Sequence, residues 1–196
     1  IALSLPDVIG LDEGERIRSI ITGNPVRPEI AALYTRPYPT PKPGGEMRIL
    51  VMGGSLGARI LSKVVPEAFA MLHSEYKARL HIIQQCREED LQDAKKIYQE
   101  AGINATLKTF FDDIPDQLGK AHLVIARSGA STVAEVTTAG RPAIFVPLEV
   151  HKDQQQKMNA ESVSDAGGAW VMTEAGFTPD TLLAKIETFM QNPETL

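Results

Sequence analysis

Apolar and polar positions follow two rhythms along the chain. Short, densely apolar runs recur at residues 48–52 (RILVM), 79–83 (RLHII), 105–110, 122–126 (HLVIA) and 142–146 (PAIFV), with weaker ones at 17–21 and 169–172. Strands buried on both faces read as near-continuous hydrophobic runs of this kind. Between them lie longer amphipathic stretches, which predict helices at 58–73, 88–101, 114–120, 132–140, 153–166 and 179–191. In the second of these, Leu91, Ala94, Ile97 and Tyr98 recur at helical spacing and define one apolar face. Gly102 then ends that helix, because glycine takes the left-handed cap conformation without a steric cost. The alternation predicts an α/β fold: a Rossmann-like parallel sheet with flanking helices.

One stretch breaks the alternation. Residues 34–45 carry Pro37, Pro39, Pro41 and Pro43, followed by Gly44 and Gly45. Prolines at every second position remove backbone donors and favour an extended, semi-rigid segment. It reads either as a surface loop or as a linker between the opening segment and the main sheet.

Composition narrows the class. A length of 196 residues fits one domain, and a chain of this size buries about 70% of its unfolded surface without help from disulfides or metal. The net charge of -5 argues against general nucleic-acid binding, which needs clustered Lys and Arg. No apolar run approaches the roughly 20 residues of a membrane-spanning helix. Cys86 is the single cysteine, which excludes an internal disulfide and a cysteine-rich metal site and suits a reducing cytosol. The chain opens on Ile1 without a signal-peptide pattern, as expected of a piece of a longer chain.

Ligands of open α/β sheets bind beyond the carboxyl ends of the strands, and the unusual residues here fall at those ends. After RILVM comes Gly53-Gly54-Ser55-Leu56-Gly57-Ala58-Arg59. Glycines let backbone approach a ligand closely, and the free amides of a helix start attract anions. The spacing is neither the dinucleotide GxGxxG nor a P-loop, so by itself it indicates phosphate or only a tight turn. After HLVIA comes Arg127-Ser128-Gly129-Ala130-Ser131-Thr132-Val133-Ala134-Glu135. Thr132 with Glu135 fits a capping box, a plain helix-start device. Alternatively Glu135, an acceptor-only group when ionised, suits the two vicinal hydroxyls of a ribose.

After PAIFV come His151-Lys152-Asp153-Gln154-Gln155-Gln156 and Asn159. Gln155 and Asn159 share a helix face, and amides that both donate and accept suit sugar hydroxyls. An exposed polar helix start would show the same composition. Two further loops complete the set. In Thr22-Gly23-Asn24-Pro25-Val26-Arg27, the arginine offers a planar fork of donors to phosphate, or is a solvated charge. Phe110-Phe111-Asp112-Asp113 supplies aromatic rings to stack on a base, or to fill the core. HExxH, GxSxG and metal-spaced Cys/His clusters are missing from the sequence.

Taken in order, TGNPVR, GGSLGAR, RSGASTVAE, the FVP strand end and HKDQQQ with Asn159 resemble the family of MurG, the bacterial UDP-N-acetylglucosamine transferase of peptidoglycan synthesis. The resemblance covers nearly the whole chain. It implies the C-terminal, donor-binding half of a two-domain GT-B glycosyltransferase that transfers N-acetylglucosamine to lipid I with inversion, making lipid II. It assigns Arg27, Gly54 and Ser55 to the diphosphate and the backbone of Phe111, beside Phe110, to the uracil edge. Glu135 would hold the ribose hydroxyls and Thr132 would assist the phosphates. Gln155 and Gln156, supported by Asn159, would contact the N-acetylglucosamine. No cofactor or metal is implied.

The catalytic base and the acceptor site are expected in an N-terminal domain outside this chain. That leaves donor binding, and little or no transfer, to residues 1–196. In the full-length protein the resemblance implies a peripheral position on the cytoplasmic face of the bacterial inner membrane. It also implies cell-wall synthesis and division proteins as partners. Two other readings stay open on the sequence: a donor-binding subunit of a two-chain glycosyltransferase, and a UDP-sugar epimerase of GT-B fold.

Overall fold

A computed structural model describes residues 1–4, 8, 10–54, 58–149 and 154–196. The chain opens with β1 (Ala2–Leu3), α1 (Glu13–Ile17), β2 (Ile20–Ile21) and α2 (Pro28–Ala31). It continues through β3 (Met47–Met52), α3 (Arg59–Met71), α4 (Ser74–Lys77), β4 (Leu80–Gln85), α5 (Leu91–Ala101), β5 (Asn104–Lys108) and α6 (Ile114–Lys120). The last part holds β6 (Leu123–Ala126), α7 (Ala130–Thr138), β7 (Ala143–Phe145), α8 (Gln155–Asp165), β8 (Ala169–Val171) and α9 (Pro179–Gln191).

The five strong apolar runs all become strands, and so does the weaker one at 169–172. The other weak run, 17–21, is split. Asp12 caps α1 by accepting from the Glu15 amide while the Glu15 carboxylate accepts from the Asp12 amide, so Ile17 is drawn into the helix. Only Ile20–Ile21 stay extended, paired in parallel with β1. The segment 88–101 starts with one 3₁₀ turn over Glu88–Asp90 before α5, and Gly102 ends it at φ 70° as expected.

Among the described residues, six strands form one parallel sheet in the order β5-β4-β3-β6-β7-β8. This is the doubly wound order, in which the chain first builds outward from β3 to one edge and then returns to build outward from β6. The reversal falls between β3 and β6. Their register pairs Met52 with Ala126, so the two strands end level and their exit loops leave the sheet side by side.

Alternation along the strands divides the core. Ile49 and Val51 point into one cluster with Leu61, Val65 and Phe69 of α3, Tyr98 of α5 and Leu182, Ile186 and Phe189 of α9. Leu50 and Met52 point the other way, toward Ile30 of α2, Leu118 of α6, Val133 and Val136 of α7 and Ala160 of α8. Each fully buried Leu, Ile or Phe contributes roughly 1.5–3 kcal/mol, enough for such a sheet to hold without cross-links.

The proline-rich segment runs along the opposite, amino end of the strands. Pro41 is buried, and the Tyr38 hydroxyl donates to the His122 carbonyl at 2.7 Å, just before β6. The Arg141 guanidinium lies 5.5 Å from the Tyr38 ring centroid and donates to the carbonyls of Leu118 and Gly119. Burial pushes the Tyr38 phenol up to about 12, against a smaller opposing effect of Arg141.

Candidate functional site

Beyond β3 the chain turns at Gly54, whose φ of 78° lies in the left-handed region. Among the described residues a Cβ there would meet no atom within 4 Å, so glycine answers a backbone requirement. Ser55, Leu56 and Gly57 lie outside the described residues. The helix that follows, α3, starts after Ala58, which makes no side-chain cap bond. Beyond β6 the same arrangement recurs: α7 starts after Gly129, again with no side-chain cap and no acidic residue in its first turn. Two uncapped helix starts therefore flank the switch point, each carrying the partial positive charge of orphan N–H groups.

The capping-box reading of Thr132 and Glu135 does not hold. Gly129 occupies the cap, which places Thr132 in the third helical position, too far in to cap the helix. Glu135 is engaged elsewhere: its Oε1 accepts from Arg27 Nε at 3.0 Å and lies 3.0 Å from the terminal guanidinium nitrogen. Arg27 reaches it because Pro28 opens α2 directly behind, and because Asn24 Nδ2 donates to the carbonyl of Ala130, the first residue of α7, at 3.3 Å. The opening loop is thus fastened to the helix that bears Glu135.

The two phenylalanines beyond β5 part company. Phe111 is buried, with Lys108 Nζ 5.4 Å from its ring centroid, whereas Phe110 is 66% exposed. Any stacking surface at this strand end belongs to Phe110, and Phe111 offers only backbone.

Beyond β7, His151 falls outside the described residues, as do Lys152 and Asp153, the residue at which the sequence pattern starts this helix. Gln154 precedes α8 at φ 48°, the sole non-glycine residue with positive φ among those described. Gln155 is exposed at the first helical position. Gln156 and Asn159 turn inward to bind neighbouring loops. Gln156 Oε1 accepts from the Leu148 amide at 3.0 Å, and its carbonyl accepts from Ser128 Oγ at 2.7 Å. Asn159 Nδ2 donates to the Ser128 carbonyl at 3.0 Å.

Sequence reasoning gave no role to Arg127 or Glu174, which the fold joins in an ion pair at 12% and 28% side-chain exposure. It also left aside the end of β4. There Gln84 is fully buried, donating to the Leu61 carbonyl at 3.2 Å and accepting from the Tyr98 hydroxyl at 2.6 Å. Cys86 beside it is buried, which raises its thiol above the ordinary value. Among the described residues no group of three His, Cys, Asp or Glu could hold a metal, and no helix is long and apolar enough to cross a membrane.

The fold therefore joins Arg27 to Glu135 and places Gly54 and Thr132 in the segments that follow β3 and β6 at the switch point, with Phe110 exposed beyond β5 and Gln155 exposed at the start of α8. Uncapped helix starts and a guanidinium suit a compact anion, and a carboxylate suits a pair of hydroxyls.

Comparison with known proteins agrees in fold. Residues 48–196 match the glycosyltransferase family 28 C-terminal domain. The chain is 48% identical over 196 residues to the UDP-N-acetylglucosamine–N-acetylmuramyl-(pentapeptide) pyrophosphoryl-undecaprenol N-acetylglucosamine transferase of Rhodospirillum centenum, covering all of this chain and 52% of that relative. It is 49% identical over 179 residues to the protein of the same name from Granulibacter bethesdensis, covering 91% of this chain and 47% of that one. The crystal structure of Acinetobacter baumannii MurG superposes with a TM-score of 0.75 at 30% identity, over 99% of this chain and 52% of that one. The chain thus spans about half the length of the relatives it matches.

Proposed function

The chain belongs to the glycosyltransferase family 28 C-terminal domain, and we propose that it is the donor-binding half of an inverting transferase that moves N-acetylglucosamine from UDP to lipid I. The observation that carries this reading is the meeting of Arg27 with Glu135 beside two uncapped helix starts at the switch point. A nucleoside diphosphate sugar satisfies both partners of that pair. Its diphosphate takes the guanidinium and the amides, and its ribose diol takes the carboxylate.

In this reading Arg27, the backbone around Gly54 and the first turn of α7 near Thr132 face the diphosphate, and the motif alone adds Ser55. Phe110 and the Phe111 backbone border the uracil. Gln155 and the Gln156 amide nitrogen lie toward the sugar, with Asn159 fixing the helix that carries them. As the glycosidic bond breaks, negative charge grows on the departing diphosphate. Preorganised amides and Arg27 stabilise that charge without a metal. The base that accepts the proton of the attacking hydroxyl, the lipid acceptor site, the membrane-facing surface and contacts with division proteins belong to the remainder of the full-length protein.

Calorimetric titration of the chain with UDP-N-acetylglucosamine and with UDP-glucose tests the reading. Tighter binding of the acetamido sugar is expected. Equal affinity for both would remove the sugar assignment, and no binding of either would remove the whole reading. Turnover of lipid I by this chain alone, at the rate of a full-length relative, would contradict its status as a half-enzyme.

A further inference from the structure

Arg127 is the first residue beyond β6, and its side chain is almost withdrawn from solvent. One terminal nitrogen donates to two successive carbonyls of the neighbouring strand exit, Val146 at 3.0 Å and Pro147 at 3.0 Å. The other donates to Glu174 Oε1, just beyond β8. One guanidinium thereby ties together the exits of three adjacent strands. The next residue continues the tie: Ser128 Oγ holds the Gln156 carbonyl, and its own carbonyl is held by Asn159. Gln156 closes the ring through the Leu148 amide. The start of α8 is thus pinned to the β6 exit on one side and to its own preceding loop on the other.

The backbone at that start is under tension. Gln154 holds a left-handed φ of 48°, which costs of order 1–3 kcal/mol for a non-glycine residue and persists only where surroundings over-determine it. The ring of hydrogen bonds fixes Gln156, two positions on.

We propose that Arg127, held by Glu174, is a positioning residue for the sugar side of the donor site, acting through the β7 exit on the start of α8. The inference rests on the donor-binding reading above and adds two residues to it. Both terminal nitrogens of Arg127 are engaged by these three acceptors, so it acts on the orientation of Gln155 through the β7 exit. Lysine cannot replace it, because an ammonium lacks the planar fork that serves two carbonyls and a carboxylate at once.

Arg127→Lys and Glu174→Gln keep the bulk of each side chain and test the assignment. A third variant, Ser128→Ala, removes one link while leaving the guanidinium in place. Peptide-resolved hydrogen exchange on the unliganded chain is the first measurement. Exchange across 154–159 is expected to rise about tenfold or more, the reach of one charge-assisted hydrogen bond. Peptides of β3 and β4 should not change. Unchanged exchange at 154–159 would overturn the clamp.

Calorimetry with UDP and with UDP-N-acetylglucosamine is the second measurement. The variants are expected to bind UDP as the unmodified chain does. The extra affinity for the sugar-bearing ligand should fall about fivefold or more, the lower range of coupling between linked sites. Equal weakening of both ligands would overturn the sugar-side assignment. An unmodified chain that binds UDP but does not prefer UDP-N-acetylglucosamine would defeat the sugar part of the donor reading, while the exchange experiment still decides the clamp.

Discussion

Arg27 Nε donates to Glu135 Oε1 at 3.0 Å across 108 positions of sequence. The pair is not a stability device. Arg27 is 46% exposed, and ion pairs this open contribute about 0–1 kcal/mol. In the proposed donor site, its value lies in holding a donor fork and an acceptor side by side. Glu135→Ala is therefore expected to leave the melting temperature nearly unchanged while weakening UDP binding by about 1–3 kcal/mol through lost charge-assisted hydrogen bonds. Calorimetry beside thermal unfolding separates the two effects, and unchanged UDP affinity would return Glu135 to a structural role.

Phe110 and Phe111 should respond oppositely although they are neighbours. Phe111→Ala empties a buried position and should cost about 3 kcal/mol in denaturant unfolding. Phe110→Ala, at an exposed position, should stay within about 0.5 kcal/mol. If its ring stacks on the uracil, the same substitution weakens UDP binding by about 1–3 kcal/mol. A chain that loses stability at Phe110 and none at Phe111 would contradict the arrangement.

Tyr98 and Gln84 form a buried polar pair in an otherwise apolar layer. Tyr98→Phe removes the donor and leaves Gln84 Oε1 without its partner, at an expected cost of about 1–3 kcal/mol. Replacing both residues by apolar groups of similar shape should recover part of that loss. Urea unfolding of the single and double variants measures it, and a neutral single variant would contradict the bond.

Acid should loosen the fold through His122. Burial lowers its pKa, the Arg48 and Arg141 guanidiniums lower it further, and Glu46 opposes them. Its Nδ1 accepts from the Arg48 amide at 3.1 Å, which only the neutral ring can do. Because the folded-state value lies below the unfolded one, the unfolded chain takes up the proton first as pH falls below about 6.5. Stability is then expected to fall progressively toward the lowered folded-state value and to level off beneath it. In His122→Asn, whose amide oxygen can accept the same bond, the decline in melting temperature between about pH 7 and pH 5 should shrink. An unchanged pH profile would assign the acid sensitivity to other groups.

Much of this architecture was legible in the residues. RILVM, HLVIA and PAIFV predict strands because side chains buried on both faces leave no polar register, and each is a strand in the central sheet. The helices at 114–120 and 179–191 begin and end where their prolines and apolar spacing set them. The strand exits that bear Gly54, Glu135 and Gln155 could be read for the same reason, since ligand loops follow strands in this class of fold.

Local pattern misled where a distant partner outcompeted a near one. Thr132 and Glu135 stand at capping-box spacing, yet Gly129 takes the cap and Glu135 turns to Arg27. Gln156 lies in a run that reads only as polar, and the fold gives its two carbonyl oxygens to Leu148 and Ser128, partners that the local pattern does not show. Arg127 sits inside a recognised motif without a visible role until the exits of β7 and β8 lie beside it.

Periodicity and turn chemistry are local: a side chain's face and a glycine's freedom depend on neighbours a few positions away, so the sequence by itself determined the strands, the helices and the loops worth inspecting. Which carboxylate meets which guanidinium depends on strand order. Only the tertiary arrangement, with β3 beside β6 and β7 and β8 following, decided that Arg27 faces Glu135 and that Arg127 reaches the carbonyls beyond β7 and Glu174 beyond β8.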